Sequence, residues 1–130
     1  MKNKHLWKPS KFIMTADGCK ISRVPHEVEI GSRFIGDLIA EAYEKVIPQH
    51  TQGLLLDLGC GKVPLYEMYK NYVSDNICVD WENTLHKSPY LDYEFDLNQG
   101  IPLASEQFET LALILVTDIL IKRKIIFLKL

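Results

Sequence analysis

The chain has 130 residues, enough for one small domain, and 47% of them are hydrophobic against 25% charged. That balance excludes a disordered or collagen-like chain. The formal net charge of −2 excludes bulk electrostatic attraction to nucleic acid as a driving force. The apolar run at residues 111–120 is interrupted by Thr117 and Asp118. It is shorter than the ~20 residues of a spanning helix, so no membrane span is expected and a buried strand is the better reading.

Cys19, Cys60 and Cys78 are an odd number without zinc-ligand spacing. Cys60 lies in a glycine loop and Cys78 in an apolar run, which predicts reduced, half-buried thiols. The first nine residues are polar and basic, with no signal-peptide core. Together these features predict a cytoplasmic protein.

In chain order, residues 1–30 show no sustained period and read as an N-terminal extension. Thr15-Ala16-Asp17-Gly18 predicts a turn between extended pieces at 11–14 and 20–24. From Gly31 the pattern becomes helical. Ser32 is a candidate cap for a helix whose apolar stripe is Phe34, Ile35, Leu38, Ile39, Ala42, Tyr43, Val46 and Ile47, ended by Pro48. Leu54-Leu55-Leu56-Asp57-Leu58 is a near-continuous apolar run of the kind found in buried parallel strands.

Pro64 suits the first turn of a following helix with Leu65, Met68, Tyr69 and Tyr72 inward. Strands are predicted at 76–79, 93–95 and 110–116. Strand, helix, strand, connector, strand, connector, strand is an α/β order, and it favours a parallel sheet.

Three segments carry chemistry. Asp57-Leu58-Gly59-Cys60-Gly61-Lys62-Val63-Pro64 joins a buried strand to a helix. Its glycines permit a sharp turn and close approach of a ligand, and a helix start offers unpaired N–H groups. Asp80 ends the next strand, about twenty residues on, where a carboxylate accepts hydrogen bonds from both hydroxyls of a ribose. Trp81 beside it is either a core residue or an adenine contact.

Asp96-Leu97-Asn98 ends the third strand. Asp96 there meets an adenine amino group or caps a turn, and Leu97 supplies an apolar face. A dinucleotide loop needs a third glycine where Pro64 stands, and no Gly-Lys-Ser/Thr follows a strand as a P-loop requires. An adenosine ligand with a small charged tail remains, and S-adenosylmethionine fits.

In order, Asp57-x-Gly59-x-Gly61, Asp80, Asp96-Leu97-Asn98, Ile101-Pro102-Leu103 and the strand at 108–116 resemble the class I S-adenosylmethionine-dependent methyltransferases. Leu-Leu-Asp-Leu-Gly-Cys-Gly-Lys-x-Pro, Val-Asp-Trp and Asp-Leu-Asn are similar to the versions found among bacterial surface-glycan and natural-product genes. The resemblance covers residues 53–120 and implies a Rossmann-like parallel sheet with flanking helices. It also implies that Asp57, Gly59, Cys60 and Gly61 line the methionine end, Asp80 the ribose, and Trp81, Asp96 and Leu97 the adenine. Thr117 and Asp118 would then stand near the reacting methyl.

After Asp118-Ile119-Leu120 the family's usual Glu-His pair is replaced by Ile121-Lys122-Arg123-Lys124 and an apolar end. The resemblance therefore implies a C-terminally truncated domain holding the first four strands, as a shifted frame or early stop would leave. The fourth strand would have an open edge, with homodimerisation through it or a fold-back of residues 125–128 as the ways to cover it. His5, His26, His50 and His86 form no pairing pattern and read as surface residues. The expected activity is methyl transfer to a small molecule or sugar. The alternatives are a non-catalytic S-adenosylmethionine-binding or dimerisation module, and a nicotinamide-dependent reductase, which Pro64 disfavours.

Overall fold

The computed structural model describes residues 1–81, 87–96, 102–104, 107–114 and 125–129. A hairpin opens the chain: β1 (Phe12–Thr15) pairs antiparallel with β2 (Gly18–Ile21). Gly18, at φ 98°, makes the turn there, and Thr15 Oγ donates to its carbonyl at 2.8 Å. The long helix α1 (Arg33–His50) then leads into β3 (Leu54–Leu58), the one-turn helix α2 (Tyr66–Tyr69), β4 (Asp75–Asp80), β5 (Tyr93–Glu94), β6 (Thr110–Ile114) and β7 (Ile125–Lys129).

The main sheet runs β5-β4-β3-β6-β7. Its first four members are mutually parallel, with Leu55 opposite both Asn76 and Thr110, and β7 is antiparallel to β6. The chain is thus α/β, with four parallel strands and helices. Among the described residues no helix is long and apolar enough to cross a membrane.

The edge of the fourth parallel strand is covered in one of the two ways expected, by a fold-back of the chain's end. β7 pairs along β6 from Thr110↔Lys129 to Ile114↔Ile125. A second copy therefore finds no free edge on β6, because this chain's own backbone already satisfies it. Residues 1–30 do more than extend the domain. Met1, Phe12, Cys19 and Ile21 are buried in one cluster with Ala40 and Ile47 of α1, Leu55 of β3 and Cys78 of β4. The amine of Met1 and the N–H of Cys78 converge on Asp92 at 3.0 and 2.8 Å, which pins the approach to β5 against β4.

Two sequence expectations for α1 are corrected. Pro48 does not end the helix, which continues to His50 and is closed by Thr51, whose N–H and hydroxyl both donate to the Ile47 carbonyl. Proline removes a bond one turn back, and fully buried Ile47 beside it keeps the backbone helical. Ser32 makes no side-chain cap.

The single inward stripe also splits. Gly36, Ala40 and Ile47 are buried, with Ile39 and Tyr43 partly so, while Phe34, Ile35, Leu38, Ala42 and Val46 are exposed. The hairpin decides this. The N–H groups of Cys19 and Ile21 donate to Glu44 and Asp37 of α1, both at 3.1 Å. Burying those donors requires acceptors, so the helix turns its Asp37/Glu44 side and the small residues beside it to β2. All three cysteines are free and fully buried, deeper than expected.

The glycine loop and its two carboxylates

β3 alternates its side chains between the sheet's faces. Leu56 and Leu58 pack with Val79 and Phe108 on one side. Leu55 and Asp57 turn to the other, under the helices. Asp57 is fully buried. Its Oδ2 accepts the Tyr69 hydroxyl at 3.0 Å, and that hydroxyl accepts Asn76 Nδ2 at 3.1 Å. Its Oδ1 has no partner among the described residues. Burial pushes the Asp57 carboxyl up to about 7, against the Tyr69 hydrogen bond, which lowers it, while nearby Asp80 adds to the rise. Burial and then the charge of Asp57 hold the Tyr69 phenol far above its ordinary range, so it remains a donor.

The loop leaves β3 through Gly59 and Gly61 at φ 70° and 50°. Its donors point inward. Gly59 and Cys60 N–H bond the Val79 carbonyl at 2.8 and 3.3 Å, and Val63 N–H bonds the Cys60 carbonyl at 2.7 Å. Gly61 N–H meets Asp80 Oδ2 at 2.8 Å. Buried Val63 sits at φ 53°, a strained conformation for a β-branched residue, and Trp7 Nε1 holds its carbonyl at 3.2 Å.

The Cys60 thiol is raised by its hydrogen bond with the Cys78 thiol and by burial, so it is protonated and unreactive. The helix expected from Pro64 is the four-residue α2, too short for a substantial dipole. Tyr72, expected inward on it, is exposed.

This corrects the expected chemistry of the loop. The N–H groups of residues 59, 60, 61 and 63 are spent within the protein, and two carboxylates stand beside them. Asp80 takes Gly61 N–H on Oδ2 and Trp81 N–H on Oδ1, each at 2.8 Å. A carboxylate oxygen has a second lone pair, so Asp80 keeps two acceptor positions. Among the described residues, a Cβ on Gly61 would approach nothing nearer than Asp80 Oδ2, at 4.0 Å.

The third strand joins this end of the sheet. Phe95 N–H donates to the Asp80 carbonyl at 3.2 Å, and Asp80 stands opposite Glu94. Asp57, Gly59, Cys60, Gly61, Asp80, Trp81 and Asp96 are therefore all at the carboxyl ends of three adjacent parallel strands. Trp81 is half exposed rather than a core residue. Leu97, Thr117, Asp118 and His86 lie outside the described residues, as does Asn98. His5, His26 and His50 are exposed.

Tyr69 and Asn76 belong to the site although sequence reading treated them as packing and strand residues. The available signal was Asp57 itself, since an acid inside a buried strand requires a donor. Among the described residues no group of three His, Cys, Asp or Glu side chains is arranged to hold a metal ion. No family model, curated protein or solved structure matches the chain.

Proposed function

We propose that the chain is a Rossmann-like domain of class I methyltransferase type that binds S-adenosylmethionine at this loop and serves methyl transfer to a small molecule or sugar. The observation that carries the reading is that two carboxylates, 57 and 80, flank glycines whose own donors are already used. Such a site suits a ligand with a cationic end and a vicinal diol, and it offers little to a pyrophosphate. The strand order β5-β4-β3-β6 supports the fold, because it is the order 3-2-1-4 of doubly wound nucleotide-binding sheets, whose ligands sit beyond the strand carboxyl ends.

Asp80 would accept the ribose hydroxyls with its two remaining lone pairs. Asp57, with Oδ1 unpartnered among the described residues, would face the positive methionine end, Gly59, Cys60 and Gly61 giving that end room. Trp81, Asp96 and Leu97 would surround the adenine, with Thr117 near the methyl. When bound, the group supplies an electrophilic sulfonium methyl, so the protein's part is chiefly alignment and exclusion of water. The protonated Cys60 thiol does not compete as a nucleophile. Three buried free thiols suit a reducing cytoplasm.

Calorimetric titration with S-adenosylmethionine, S-adenosylhomocysteine and NADH separates the readings. Binding of the first two and not the third is expected, with transfer of a labelled methyl group to an acceptor panel. Binding without turnover on any acceptor would reduce the chain to a binding module, and binding of NADH alone would overturn the proposal.

A further inference from the structure

Helix α1 is apolar on two sides, and the fold uses one. The other carries Phe34 at 75% exposure, Ile35 at 56%, Leu38 at 53% and Val46 at 39%, with exposed Ala42 between them and Ile30 at 76% in the turn before. These residues leave on the order of 500 Å² of apolar surface, the size of patch that is often functional on a soluble domain. With a polar rim, that area is sufficient for the core of a specific interface, which buries about 800 Å² per partner.

The spacing says what fits. Ile30, Phe34, Leu38, Ala42 and Val46 recur every fourth residue, and the α-helical part of the series forms one i±4 ridge. The series is also self-complementary about its centre. A two-fold axis at Leu38 sets Leu38 against its own counterpart, Phe34 against the small Ala42 of the second copy, and Ile30 against Val46. Such isologous matching is what a symmetric dimer requires.

Two of the cations beside the ridge are paired within the chain. Lys45 pairs with Glu41 at 2.7 Å, Arg23 with Asp37 at 2.6 Å, and Arg33 donates to the Arg23 carbonyl at 2.7 Å. We propose that the outer face of α1 is a homodimer interface, two copies packing α1 against α1 with Leu38 on the two-fold axis. This surface is on the far side of α1 from the hairpin.

The test combines sedimentation with cross-linking of the full chain. The wild type should be a dimer at micromolar concentration. Leu38→Asp should be monomeric, its dimer dissociation constant raised at least 100-fold, with an unchanged circular dichroism spectrum because Leu38 contacts solvent. Leu38→Cys should form a disulfide-linked dimer under mild oxidant. Glu41→Cys should not, because the same axis sets residue 41 against residue 35. The native cysteines are buried and give little background. A wild type that stays monomeric at high concentration would overturn the proposal. So would a dimer that survives Leu38→Asp, or equal cross-linking at 38 and 41.

Discussion

Replacing Asp57 by asparagine is expected to stabilise the protein at pH 8 while removing its affinity for a cationic ligand at the glycine loop. Asp57 is fully buried, and its carboxyl is raised from the ordinary range to about 7. For an acid the sign is as follows. The folded state holds the proton more tightly than the unfolded state, so the favourable contribution is complete below about pH 4. It is lost as pH rises through 7, because the unfolded carboxylate ionises freely and the buried one does not.

Three pKa units correspond to at most about 4 kcal/mol. Asparagine keeps an acceptor for the Tyr69 hydroxyl and has no charge to bury. Urea unfolding should therefore show the variant close to wild type at pH 4.5 and more stable at pH 8, by up to that amount. Equal stability of the two proteins at both pH values would show that Asp57 does not titrate as described. The same substitution removes the anion proposed to face the methionine end, so binding should weaken at least tenfold. Stability gained with function lost is the usual mark of a residue kept for chemistry.

Gly36→Ala carries the second large effect, with a sign opposite to helix propensity. In an exposed helix interior the exchange is worth about 1 kcal/mol in favour of alanine. Here the new Cβ would lie 2.8 Å from Ile21 Cγ1 and 3.0 Å from Ile21 Cβ. Ile21 is buried on β2 and cannot swing away without lifting the hairpin from α1, which would strip the Cys19 and Ile21 N–H groups of Glu44 and Asp37. Overpacking of this kind costs roughly 1–3 kcal/mol, so a fall in Tm of several degrees is expected. Adding Ile21→Ala to the variant should recover part of the loss in a double-mutant cycle. A Gly36→Ala protein with a raised Tm would show that the hairpin does not need this close approach.

The sheet was legible because its signals are local. The apolar run at Leu54-Leu55-Leu56, the glycines that stop it, and Asp80 at the next strand end all follow from residue type and spacing. β3 was placed to the residue, β4 within one residue at each end, and the two strand-end segments in the right order. What was missed depends on contacts far apart in sequence. The inward face of α1 is set by two backbone donors on β2, and no periodicity within the helix reveals which of its two apolar sides meets them.

The donors of the glycine loop were expected to face a ligand. They are instead turned to the carbonyls of Val79 and Cys60 and to Asp80, a partner nineteen residues away. The roles of Tyr69 and Asn76 follow from the need to satisfy Asp57, which is visible only once Asp57 is known to be buried on the helix side. The fold-back of β7 onto β6 was one of two expected ways to cover that edge, and only its register had no turn signal to specify it.

The central claim is that Asp80 is the anchor of an adenosine-bearing ligand, and one calorimetric comparison tests it. Wild type, Asp80→Ala and Asp80→Asn would be titrated with S-adenosylhomocysteine after circular dichroism has shown all three to be folded. The account predicts binding by the wild type, a loss of at least 100-fold in Asp80→Ala, and an intermediate loss in Asp80→Asn, which keeps an acceptor for Gly61 N–H but fewer for the diol. Undiminished binding by Asp80→Ala, or a folded wild type that binds nothing, would contradict it.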